Sequence, residues 1–232
     1  MNSYISLDLE TTGLNPKYDR IIEIGAAKIE NGEVTDTFST FVNPGRRLDA
    51  RIIELTGIND ADVQDAPEIK DVLRAFLEFS REYPLLGHNI IFDYSFLKHA
   101  MVNAGLSYER EAVDTLKISR NCHRELPSKK LTDMCAFYGI EFSAHRAFND
   151  ALATAKLYEK LKENFAKTNP EEFVPKNLLY AVKKESPIRP SQKERIEDLI
   201  KRHNIDCPYD IEKMTRNEAT RSYDMLFAQY GK

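Results

Sequence analysis

The sequence predicts an α/β fold, a mixed five-stranded sheet flanked by helices, with a small helical module at its C-terminal end. Three observations point to it. Residues 4–42 show period-two alternation in three runs, two of them joined by a hairpin signal. Short apolar segments then alternate with stretches of helical period as far as residue 161. A composition shift with two prolines near residues 183–190 precedes a last pair of helical patterns.

Tyr4-Ile5-Ser6-Leu7-Asp8-Leu9-Glu10 alternates, with Ile5, Leu7 and Leu9 on one face. Residues 21–29, Ile-Ile-Glu-Ile-Gly-Ala-Ala-Lys-Ile, read as the second strand. Asn31-Gly32 follows, a dipeptide suited to the positive φ angles of a two-residue hairpin. The chain returns over Thr35 to Val42, and Asn43-Pro44-Gly45 ends that strand. Ile69, Leu73, Phe76 and Leu77 mark a helix. A short buried strand at Pro84–His88 leads into a helix marked by Phe92, Phe96, Leu97 and Ala100. Residues 112–115 form another short strand, and Ala151, Ala155, Tyr158 and Leu161 line one face of a long helix. In the tail, Ser191-Gln192-Lys193-Glu194 and Thr215-Arg216-Asn217-Glu218 both fit the S/T-x-x-E capping box. The expected division is a domain over 1–165, a linker over 166–190 and the helical module over 191–232.

Composition narrows the function classes. The 232 residues carry 33 Lys+Arg against 37 Asp+Glu, a formal charge of −4. No run approaches the roughly 20 apolar residues of a membrane span, and Met1-Asn2-Ser3-Tyr4 lacks the features of a secretory signal. Cys122, Cys135 and Cys207 are far apart and odd in number, so they give neither a disulfide framework nor zinc-ligand spacing. A reducing cytoplasm is the expected location.

Three clusters carry chemistry. Asp8 and Glu10, two apart on a strand, point to the same face, where paired carboxylates need a cation or a proton. Hard oxygen ligands suit Mg²⁺ or Mn²⁺. Asp93, in Gly87-His88-Asn89-Ile90-Ile91-Phe92-Asp93, falls in the first turn of a helix that follows a strand. His145 precedes Asp150 by five residues, about 140° apart on a continuous helix. To act together, His145 must lie in the approach to the helix and Asp150 inside it.

Taken in order, D-L-E-T-T-G-L-N-P…R-I-I-E-I-G-A, G-H-N-x-x-F-D and H-R-A-x-x-D-A resemble the three motifs of the DnaQ-like, or DEDD, 3′–5′ exonucleases. The histidine-containing branch, DEDDh, is the one matched. The sister branch has tyrosine four residues before the last aspartate, where this chain has Arg146. The resemblance covers about residues 3–165 and implies a ribonuclease H-like fold. It assigns Asp8, Glu10, Asp93 and Asp150 as ligands of two divalent ions, Mg²⁺ or Mn²⁺, and His145 as general base. It also implies substrate contacts from Thr11, Thr12 and Leu14, from Asn89 and Phe92, and from Leu55 and Thr56 in Arg51–Ile58. Asp114-Thr115 recurs in such proteins with a hydrogen-bonding role, and His88 reads as a packed histidine rather than a catalyst.

The implied reaction removes nucleoside 5′-monophosphates from single-stranded or frayed 3′ ends, of DNA in proofreading or repair. RNA trimming by the same chemistry is the alternative, and a catalytically silent binding protein of this fold is a third reading. A proofreading role calls for a polymerase subunit on another chain. Residues from 166 onward hold 13 basic and 11 acidic side chains, so the acidity lies in the first domain, at about −6. Two bound Mg²⁺ would formally cancel four carboxylates and bring that domain to about −2. The overall negative sign therefore leaves a nucleic-acid substrate open.

Overall fold

The computed structural model describes residues 1–141, 143–207 and 209–231. Phe142, Pro208 and Lys232 lie outside the described residues, the last two within the stretch assigned to the helical module. Six strands form one mixed sheet: β1 (Ser3–Thr11), β2 (Ile21–Glu30), β3 (Glu33–Phe41), β4 (Leu85–Gly87), β5 (Glu111–Asp114) and β6 (Lys176–Asn177). Their order is β3-β2-β1-β4-β5-β6. The β1–β2–β3 meander is antiparallel, β1, β4 and β5 run parallel, and β6 closes the far edge antiparallel to β5.

The five-strand expectation is one short. β6 lies in the stretch read as a linker, and it has two residues, too few to show a period. Asn31 and Gly32 take φ values of 53° and 86°, the positive pair their hairpin requires.

Each face of the sheet is covered. On one face Ile5, Leu7 and Leu9 pack with α3 (Ile69–Ser80) and α4 (Ile90–Asn103), through Leu73, Phe76, Phe96 and Leu97. On the other, Tyr4, Ala27 and Ile29 pack with α5 (Thr115–Cys122), α6 (Leu131–Phe137) and α7 (Ala147–Phe165), through Ile118, Met134, Leu157 and Leu161. The alternation of β1 therefore divides its side chains between two layers. Its even-numbered residues face α7, where the Ser6 hydroxyl donates to the Ala151 carbonyl at 2.6 Å. Two short helices, α1 (Ala50–Thr56) and α2 (Asp60–Val63), follow β3, and Ile58 and Val63 pack there with Ile22 and Leu48.

At the C-terminal end, α8 (Pro190–His203) and α9 (Arg216–Tyr230) share a small core of Ile196, Leu199, Met214, Ala219 and Leu226. The Ser191 capping box is corrected. Arg189 is the N-cap, its N–H donates to Gln192 Oε1 at 3.1 Å, and Pro190 occupies the first helical position that proline favours. Thr215 does cap α9, reciprocally with Glu218. The helical pair docks on the meander side. Asp210 N–H donates to the Gly45 carbonyl at 3.1 Å, and Arg46 and Tyr209 form a bridge. Among the described residues no helix is long and apolar enough to cross a membrane.

Candidate active site

β1 delivers Asp8 and Glu10 to the α7 face, and α7 delivers Asp150 from its first turn. One carboxylate oxygen from each of the three lies within 4.8 Å of the others. Asp93 is outside that group. It is buried in the first turn of α4, and its Oδ1 accepts the Leu9 N–H at 3.0 Å. Its charge nonetheless bears on Asp8. Burial first, then Asp93, Asp150, Glu10 and Glu23 in turn, push the Asp8 carboxyl well above the ordinary carboxylate range. Burial, then Asp150 and Glu23, raise Glu10 to about 7, with Arg146 pulling against them. Asp93 is raised well above its ordinary range and Asp150 is raised, in both cases chiefly by burial.

Among the described residues, none of the ion pairs includes Asp8, Glu10, Asp93 or Asp150. Like charges are thus gathered with no ion-pair partner at contact distance among the described residues. That donor set fits a hard divalent cation.

The approach to α7 is built around Glu23, which stands directly across from Glu10 in the β1–β2 register. Glu23 is 1% exposed and accepts from Arg146 Nε at 3.2 Å, from Arg146 Nη2 at 3.0 Å and from Ala147 N–H at 3.2 Å. The bidentate guanidinium cancels the charge of Glu23 and leaves that of Glu10. Gly25 lets α7 come this close. A Cβ there would collide with the Phe148 nitrogen and the Ala147 carbonyl carbon. Arg146, the residue before the helix, turns its own N–H onto Asp150 Oδ2 at 3.1 Å. His145 precedes it with φ of 66°, exposed, and near enough for its charge to pull the Asp150 carboxyl down.

The other site residues of the sequence reading fall into two groups. Leu14 is 85% exposed, Leu55 and Asn89 are exposed, and Phe92 is half-buried with its ring 5.1 Å from that of Phe96. Thr11, Thr12 and Thr56 spend their hydroxyls within the chain. Thr11 Oγ1 donates to Gly13 O at 2.7 Å, and Thr12 Oγ1 accepts Arg20 N–H at 2.9 Å. Thr56 is buried, donates to Ile52 O at 2.9 Å and accepts Ile58 N–H at 3.1 Å, so it shapes the end of α1. His88 is held at both ring nitrogens, by Thr115 Oγ1 at 2.9 Å and the Lys129 carbonyl at 2.7 Å.

Two supporting residues, Glu23 and Gly25, have no role assigned from the sequence, and Asp114 has there only hydrogen bonding. Glu23 stands out as an acid flanked by Ile21, Ile22 and Ile24, and a buried acid demands a partner. Gly25, in the same strand, marks a close backbone approach. Asp114 caps α5 and its Oδ1 also accepts the Asn89 N–H at 2.9 Å, which helps hold Asn89 in its left-handed conformation with φ of 77°.

Carboxylate oxygens of Asp8 and Glu10 on a central strand and of Asp150 at a helix start, with no ion pair to them among the described residues, form a donor set consistent with divalent-metal binding of the kind phosphodiester hydrolases use. Comparison with known proteins gives the same class. The family model described as Exonuclease matches residues 5–158. The chain is 44% identical over 161 residues to the PolC-type DNA polymerase III of Caldanaerobacter subterraneus subsp. tengcongensis, covering 69% of this chain and 12% of that protein. It is 42% identical over 168 residues to the PolC-type enzyme of Bacillus subtilis, covering 71% and 12%. The chain therefore belongs to the exonuclease family, in its DnaQ-like 3′–5′ branch. It spans only about an eighth of the length of these relatives. Among solved structures, the nuclease domain of 3′hExo, a DEDDh family member bound to rAMP, superposes with a TM-score of 0.64 at 22% identity, covering 77% of this chain and 98% of that one. An E. coli ExoI–ssDNA complex does so with 0.68 at 20%, covering 75% and 43%. At these identities the likeness concerns the fold.

Proposed function

We propose that the chain removes nucleotides one at a time from the 3′ end of single-stranded or frayed DNA and releases nucleoside 5′-monophosphates. The observation that carries this reading is the group of Asp8, Glu10 and Asp150 oxygens within 4.8 Å of one another, unpaired and pushed towards protonation. Asp8, Glu10, Asp93 and Asp150 would hold two divalent ions, Mg²⁺ or Mn²⁺, which when bound supply Lewis acidity and neutralise charge on the transferring phosphate. His145 takes the proton of the attacking water. It is the exposed base beside Asp150, and histidine is the side chain suited to that task near neutral pH. Glu23 and Arg146 position His145 and Asp150 by fixing the start of α7.

The substrate face follows from exposure. Leu14, Leu55 and Phe92 offer apolar surface to bases, a contact indifferent to sequence. Asn89, presented by Asp114, is the polar group aimed at the terminal nucleotide. Thr11 and Thr12 act through the loop that carries Leu14, and Thr56 acts through the α1 end that carries Leu55. The DNA substrate and a setting in proofreading or repair are inferred from the PolC-type relatives, with the polymerase active site outside these 232 residues.

A panel of 5′-end-labelled single- and double-stranded DNA and RNA, with Mg²⁺ or Mn²⁺, tests the proposal. It predicts a ladder shortened from the 3′ end, with single-stranded DNA cut fastest. Faster cutting of matched RNA would move the substrate to RNA. No shortening of any strand would overturn the enzymatic reading.

A further inference from the structure

The loop between β1 and β2 carries Leu14 and is held both by its own hydrogen bonds and by side chains from outside it. Thr12 and Arg20 close its neck with two hydrogen bonds. Thr12 N–H donates to Arg20 O at 2.8 Å, and Arg20 N–H donates to Thr12 Oγ1 at 2.9 Å. Within the loop, Thr11 Oγ1 donates to Gly13 O at 2.7 Å, and four hydrogen bonds tie the turn at Asn15–Asp19 to itself. The remaining restraints come from outside. Arg46 Nη1 donates to the Tyr18 carbonyl at 3.0 Å, and the Arg221 guanidinium lies 4.7 Å from the centroid of the Tyr18 ring.

These restraints converge on one side chain of α9. Glu218, 5% exposed, accepts Arg46 Nη2 on Oε1 at 2.9 Å and forms an ion pair with Arg20 through the same oxygen. Its Oε2 takes the Thr215 N–H at 2.9 Å, so both oxygens of this buried carboxylate are engaged. The two arginines need it as much as it needs them. Burial and the neighbouring Arg46 cation lower the Arg20 pKa to about 10, and burial lowers that of Arg46. Asp19 acts on both guanidiniums and Glu185 on Arg20, but Glu218 is the carboxylate in ion-pair contact with both, and without it the adjacent cations would repel each other more strongly at the neck of the loop. Arg221, one helical turn from Glu218, reaches the same loop from the same face of α9.

We propose that the C-terminal helical pair is part of the substrate site, with Glu218 as a positioning residue. Through Arg20 and Arg46 it fixes the Thr12–Arg20 loop and hence the placement of Leu14 against the terminal nucleotide. The capping box of α9 therefore has two functions, and its second partner set lies across the interface with the β1–β2 loop. This role rests on the proposed exonuclease activity for its kinetic consequence but not for its structural one. It lies beyond the matched family stretch, which ends at residue 158.

Glu218→Gln in the full chain tests it, because glutamine keeps an oxygen for the Thr215 N–H while removing the charge that holds the arginines. Two readouts are taken. Hydrogen exchange is expected to show faster exchange at Thr12, Tyr18 and Asp19, with the β1–β2 ladder unchanged. Steady-state cleavage of a single-stranded oligonucleotide is expected to show KM raised roughly tenfold, with kcat changed much less. Arg221→Ala, at an exposed residue whose loss spares the fold, is expected to raise KM about two- to fivefold. Glu218→Asp is expected to restore part of the loop protection. Wild-type KM and wild-type loop exchange in Glu218→Gln would overturn the proposal, as would a fall in kcat alone. A wild-type protein inert on every strand would instead overturn the exonuclease reading, and the exchange data would still decide whether Glu218 holds the loop.

Discussion

Two regions of this molecule gather buried carboxylates and satisfy them in opposite ways. At the contact with α9, Glu218 meets Arg20 and Arg46, and at the start of α7 Glu23 meets Arg146. One strand away from Glu23, Asp8, Glu10 and Asp150 converge, with no arginine or lysine among the described residues in an ion pair with them. The same chain that pairs its structural acids leaves these three to repel one another. Burying unpaired like charges costs free energy, and that cost is met when a cation arrives from solution. The contrast between Glu10 and Glu23, directly opposite in register, is between an acid with no ion-pair partner among the described residues and one held by an arginine.

The largest expected effect comes from breaking the unpaired cluster. Asp8→Ala should abolish metal-dependent release of nucleoside monophosphates, measured by chromatography of the digest. Next, His145→Ala should lower kcat by at least about 10²-fold while leaving metal affinity near wild type, since the base is not a ligand. Gly25→Ala should cost about 1–3 kcal/mol in denaturant unfolding, because α7 must move off β2, and activity should fall with it through Asp150.

The smallest effect sharpens the comparison through pH. Glu10 in the metal-free fold titrates near 7, above its ordinary value of 4.5, so folding favours its protonated form. The associated stability is complete below the ordinary carboxylate range and is lost as pH rises through about 7. In EDTA, Tm should therefore fall by about 2–4 °C between pH 5 and pH 8 beyond the change seen in Glu10→Gln, and Mg²⁺ should restore it mainly at pH 8. Equal Tm values across that range in EDTA would remove the argument from unpaired charge.

Much of the site was legible because local geometry fixed it. Residues 8 and 10 share a face of any strand, and the five-residue offset from His145 to Asp150 lets them act together only if a helix starts between them. Asp93 was legible as a residue in the first turn after a strand, but its bond to Leu9 N–H, which sets it apart from the other three, is a contact across the fold. Thr56 looked like a substrate contact in the linear motif. In the fold its hydroxyl donates to Ile52 O one turn back and accepts Ile58 N–H, contacts that only the helix end reveals. The start of α8 slipped because Pro190 outcompetes the cap read at Ser191, and β6 escaped because two residues carry no period. The arginine partners of Glu218 could not be read at all. Arg20 and Arg46 are nearly two hundred residues away along the chain, and the capping box alone accounted for the glutamate.

The central claim is that the acids left unpaired are a divalent-metal site. Calorimetric titration of the metal-free protein with Mn²⁺ at pH 7.5, in two buffers of different ionisation enthalpy, tests it most directly. Binding with net proton release is expected, because the raised carboxyl groups must ionise fully to take the ion, and Asp8→Ala should lose both the binding and the protons. Absence of binding, or binding that survives unchanged in Asp8→Ala, would contradict it.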